Sequence, residues 1–120
     1  MRYQEHNSYK IAFALSNVIW QIVKKWDFLA RDTIGKQLIR AADSISSNIA
    51  EGWHRYYKKD KILFFNYAKS SFFETADWLE KAFKRGLISQ KEKMVIDEMI
   101  LNFPREINGL IKGININLKK

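Results

Sequence analysis

Six polar side chains between residues 37 and 55 fall on one line: Gln37, Arg40, Ser44, Asn48, Glu51 and Arg55, at steps of three, four, four, three and four. Such steps confine them to one narrow sector of an α-helix. A carboxylate, two guanidinium groups, a hydroxyl and two amides in one sector can build either a reactive site or a network between helices. Glu51 and His54 also have the Glu-x-x-His spacing of di-iron carboxylate bundles. Those centres require two such pairs and two further carboxylates directed into one core. Here there is one pair, His6 is the only other histidine, and His54 projects off the stripe that holds Glu51. Neither a metal nor a cofactor is expected. Serines are plentiful, but no histidine has an evident carboxylate to orient it, and no strained nucleophile turn or phosphate-binding glycine loop is present. The chain reads as a non-enzyme.

The structural use of the stripe is the stronger reading. Ser71 and Glu74 stand three apart beside Tyr67 and Trp78, on the margin of the next helix's apolar face. Arg40 and Arg55 can pair with Glu51 and Glu74. A half-buried network pinning the second helix to the third is therefore expected, because buried polar groups without partners are costly.

Binding chemistry concentrates elsewhere. In WHRYYKKDK, residues 53–61, Arg55, Lys58, Lys59 and Lys61 can contact phosphates, and Tyr56 and Tyr57 offer rings for exposed bases to stack on. A second basic group includes Lys84 and Arg85, and a third holds Lys24, Lys25 and Arg31. The net charge of +8 on 120 residues favours a polyanionic partner.

Four amphipathic segments must position these groups. The first runs from about Asn7 to Trp26 around Ile11, Leu15, Ile19 and Ile22; the second, from about Asp32, lines up Ile34, Leu38, Ala42, Ile45 and Ile49. The third begins near Lys58 and is stopped by Gly86. The fourth opens on a capping box, Ser89 with Glu92, and keeps its apolar register past Pro104, which predicts one kinked helix. Short connections imply antiparallel neighbours. The expected fold is all-α: one antiparallel up-and-down four-helix bundle domain over residues 1–120. The first helix carries a further stripe, Tyr9, Phe13 and Trp20, away from its core face, which marks a contact between copies of the chain. No cysteine, no signal-like N-terminus and no membrane-length apolar run point to a cytoplasmic protein without a membrane partner.

The segment QLIRAADSISSNIAEGWHR, residues 37–55, resembles the signature of the bacterial four helix bundle proteins, whose genes were first noticed as intervening sequences in large-subunit ribosomal RNA genes. Its distinctive part is Asn48-Ile-Ala-Glu-Gly52 with Gln37 and Arg40 upstream. Phe64, Ala68, Ser71 and Glu74 continue the resemblance into the third helix. The resemblance implies a homo-oligomeric ring, typically a pentamer, and a relation to a diversity-generating retroelement accessory protein that binds nucleic acid and a reverse transcriptase. His54 stands where the family usually has a small residue, Tyr57 where a serine-like cap is common, and Ile39 in place of a common arginine. The function expected is a homo-oligomer that binds RNA or DNA through its basic surfaces. The alternative is a scaffold for a protein partner encoded nearby.

Overall fold

Helix α1, Asn7–Val23, starts where the imidazole Nδ1 of His6 accepts the backbone N–H of Ser8 at 3.1 Å. This is an N-cap made by a histidine rather than by Ser, Thr, Asp or Asn. Ala12, Leu15, Ile19 and Ile22 turn inward at helical spacing. The computed structural model describes residues 1–117. Helix α1 ends before Trp26, which is buried in the following turn and donates from Nε1 to the Leu87 carbonyl at 2.9 Å. Asp27 then caps a single turn, Phe28–Ala30, by accepting the N–H of Ala30 at 2.9 Å.

Arg31–Gly35 are wound as a π-helix and run directly into helix α2, Lys36–His54. The second helix therefore does not begin cleanly at Asp32; it is the continuation of a wider coil. Gly35 explains how this coil sits so close to α1. A Cβ there would lie 2.8 Å from Val23 Cγ1 and 3.1 Å from the Ala30 carbonyl oxygen.

Helix α3, Lys58–Lys84, follows a tight turn. Tyr57 occupies its N-cap without a side-chain hydrogen bond, as expected of an aromatic in a capping position. At the other end Gly86 takes φ +75°, with Gly86 N–H donating to Phe83 O at 3.1 Å and Leu87 N–H to Ala82 O at 2.9 Å. These two bonds form a Schellman stop.

The fourth member is two helices, not one: α4, Gln90–Ile100, and α5, Phe103–Asn117. Its capping box is present, Glu92 N–H to Ser89 Oγ at 3.0 Å and Ser89 N–H to Glu92 Oε1 at 2.9 Å. The single kinked helix is corrected at Pro104, which lacks the N–H needed to bridge the break and instead occupies the first turn of a new helix. The apolar register survives the break: Ile96, Phe103, Ile107 and Leu110 are all buried.

Four antiparallel members thus enclose one core, 49 Å along the long axis and 24 by 20 Å across, with no strand among the described residues. Helices α2 and α3 share the longest interface. Gly52 permits their approach, since a Cβ would meet Phe65 Cε1 at 2.8 Å and the Lys61 carbonyl oxygen at 3.1 Å. The Phe72 and Phe103 rings stack at 4.5 Å across the α3–α5 contact. Tyr3 packs edge-on to His54, and His6 lies against Trp53. The N-terminus therefore shares one end of the bundle with the α2–α3 turn. The Trp26–Leu87 bond joins the α1–α2 and α3–α4 connections at the other.

Candidate nucleic-acid interface

The α2–α3 turn presents rings more freely than charges. Arg55 is held by Glu51, Nη2 to Oε1 at 2.7 Å, and its guanidinium lies 4.3 Å over the Phe64 ring. Lys61 donates to the Trp53 carbonyl at 2.7 Å, closing the C-terminal end of α2, and partial burial lowers its pKa. Lys58 donates to the Asn115 carbonyl at 3.3 Å. Lys59 is exposed. Tyr56 and Tyr57 are 86% and 56% exposed and meet edge to face at 5.0 Å. Three of the four cations expected to meet phosphate are thus already engaged with the protein.

At the opposite end the balance is reversed. Lys84 and Arg85 close α3, and the Trp26–Leu87 bond brings Lys24, Lys25 and Arg31 to the same end. All five are exposed, and none forms an ion pair among the described residues. Nearby acids are engaged locally: Asp27 caps its turn, and Asp32 pairs with Lys36 at 2.8 Å. Arg85 borders an open groove of about 390 Å³ whose walls include Ile34, Gln37 and Trp78. Between the lysines and Arg31, Phe28 and Leu29 are each 72% exposed. Sequence periodicity does not single out this pair, because it has nothing to register outside a regular helix. The available signal is two large apolar residues interrupting a run of cations.

The polar stripe divides into separate parts. Arg40 crosses to α3 and meets Glu74 Oε2 at 2.5 Å, while also donating to Gln37 Oε1 at 3.1 and 3.3 Å. Trp78 Nε1 donates to the same carboxylate oxygen at 3.3 Å. One turn on, Ser44 Oγ donates to Ser71 Oγ at 2.5 Å. Asn48 turns back to the Ser44 carbonyl at 2.8 Å, and the ionic contact of Glu51 is with Arg55 on its own side of the turn. Two links, Arg40–Glu74 and Ser44–Ser71, cross between α2 and α3, while Asn48 and Glu51 bond within their own helix and its C-terminal end. The Arg40 and Glu74 side chains remain 58% and 40% exposed, so their ion pair is well solvated, whereas the hydroxyl pair is part-buried.

On α1, Tyr9 is half-buried and stacks on Phe13 at 5.7 Å, whereas Phe13 and Trp20 are about half exposed, 52% and 53%. Among the described residues no group of three or more His, Asp or Glu side chains is disposed to hold a metal ion. None of the described helices is long and apolar enough to cross a membrane.

Residues 4–109 match the family model described as 23S rRNA-intervening sequence protein. No curated protein matches the chain. The matched stretch takes in α1 through α4, with the Gly52–Phe65 contact and both α2–α3 links inside it. The chain therefore belongs to the 23S rRNA-intervening sequence protein family.

Proposed function

We propose that this protein is a non-catalytic, self-assembling bundle that binds nucleic acid in the cytoplasm. The observation that carries the reading is the exposed end holding Lys24, Lys25, Arg31, Lys84 and Arg85, none of them in an ion pair among the described residues. Cations already neutralised within the protein release few counterions from a polyanion, whereas free ones supply most of the sequence-independent affinity. Self-assembly is supported by the exposed rings of Phe13 and Trp20, on the same side of α1, and by Phe73 on α3. In the homopentameric ring that the family resemblance implies, five copies of the cationic end would act together and turn weak single contacts into useful avidity.

The test is a titration of the purified assembly against labelled single-stranded RNA, duplex RNA and duplex DNA at several salt concentrations, with its mass measured in parallel. Tight binding at low salt with a steep salt slope supports the reading. An intact oligomer that binds none of the three at low salt overturns it. A protein scaffold is the second reading, favoured by an apolar groove of about 400 Å³ between α1 and α4, lined in part by Val18, Ile22 and Val95. Partner binding insensitive to salt and lost on substituting Val95 would select it.

A further inference from the structure

We infer that the cationic end takes unpaired RNA or DNA, with the exposed ring of Phe28 as its stacking platform. The inference rests on the proposed nucleic-acid binding and names the form of the substrate. Phe28 is 72% exposed although nothing in its own sequence context requires an aromatic there, and it stands within three residues of both Lys25 and Arg31. A ring open to solvent amid free cations is the combination that single-strand sites use. Phosphates track the charges while successive bases lie on the π-face. A duplex keeps its base faces inside its own stack and has nothing to offer such a ring.

The capped turn holds the platform: Asp27 fixes its start, and Thr33 Oγ1 donates to the Leu29 carbonyl at 2.7 Å one turn later. From Phe28 the coil leads along Arg31 to Asp32 and Thr33, which form the wall of the groove that also holds Trp78 and Arg85. Gln37 also lines that groove, where its amide oxygen accepts from Arg40.

The experiment compares oligo(U) with a hairpin duplex of the same length, using the wild-type assembly, Phe28→Ala and Phe28→Trp, at one low salt concentration. Tm and mass, measured in parallel, establish that both variants fold and assemble as the wild type does. The wild type is expected to prefer oligo(U). Phe28→Ala should weaken it about fivefold to 150-fold, the loss of one stacked base at roughly 1–3 kcal/mol, while leaving the hairpin unchanged. Phe28→Trp should restore or improve it. Equal or tighter hairpin binding by the wild type, or equal oligo(U) binding by Phe28→Ala, overturns the single-strand assignment while the wider nucleic-acid reading stands. No binding to either probe overturns the single-strand assignment, and failure to bind duplex DNA as well overturns the wider reading. A parallel sedimentation with phosphatidylserine–phosphatidylcholine vesicles closes the remaining route. Capture by vesicles that needs Phe28, without oligo(U) binding, assigns the end to an anionic lipid surface and overturns the inference.

Discussion

Trp26 Nε1 donates to the carbonyl of Leu87 at 2.9 Å, across 61 residues of sequence. This one bond ties the α1–α2 connection to the α3–α4 connection, and with them the lysines and arginines of both. The indole is also a core side chain, 9% exposed, so its polar atom is satisfied where the chain would otherwise leave a carbonyl orphaned. Trp26→Phe should retain most of the packing and cost about 1 kcal/mol of stability for the missing bond. The same variant should weaken polyanion binding, because the two cationic connections are no longer held together. Denaturant melts and a salt titration check both; unchanged affinity would show that the bond does not organise the surface.

Gly52→Ala distinguishes packing from helix propensity. Propensity alone favours Ala by about 1 kcal/mol in a helix interior. The ring of Phe65 and the Lys61 carbonyl leave no room for a Cβ, so a net loss of about 1–3 kcal/mol is expected from overpacking. A raised melting temperature would mean that α3 can withdraw without penalty.

The ion pairs of the polar stripe should differ in kind. A double-mutant cycle on Arg40 and Glu74 should give a coupling of up to about 1 kcal/mol, because the pair crosses helices but is well solvated. Glu51→Ala should cost no more than about 0.5 kcal/mol and leave the mass of the assembly unchanged, since its partner Arg55 is one turn away at the end of the same helix. Dissociation of the oligomer by Glu51→Ala would place that carboxylate at a contact between copies.

Stability should fall as the pH drops below about 6.5. Burial lowers the His6 pKa, with Glu106 opposing the shift, so the unfolded chain takes up the proton first. Folding stability is full above the unfolded value and declines from there through the lowered folded value. Protonation also removes the acceptor that caps α1 at the Ser8 N–H. His6→Asn keeps a cap acceptor without a titrating group and should flatten this part of the profile. Thermal melts from pH 8 to 5 would decide it, and identical slopes in both proteins would clear His6.

Charge reversal should rank the two ends. Lys84→Glu with Arg85→Glu should lower polyanion affinity and reduce the salt slope by about one for each phosphate no longer neutralised. Lys58→Glu with Lys59→Glu should do less, because Lys58 is already bonded to the Asn115 carbonyl. Equal effects would make both ends binding surfaces.

Helix positions are legible wherever many residues repeat one signal. The apolar period of α1 to α3, the Ser89–Glu92 box and the Gly86 stop each depend on neighbours within a few residues, so local chemistry decides them. Pro104 marks where the fourth segment departs from a straight helix, but not that it parts into two helices. The π-helical coil is not legible, because it follows from how one segment must fit against others already packed. Gly35 illustrates this: its lack of a side chain is visible in the sequence, but Val23 as the reason is not.

The candidate site divides along the same line. Net charge, the number of cations and the presence of Tyr56 and Tyr57 are properties of composition, and they already favour a polyanion. Which cations remain available is not. Lys61 and Lys58 are withdrawn by carbonyls 8 and 57 residues away, and Lys24, Lys25 and Arg31 gain neighbours in Lys84 and Arg85 only because Trp26 reaches Leu87. A side chain's charge is set by its own chemistry, but its freedom to meet a ligand is set by whatever the folded chain brings within hydrogen-bonding distance.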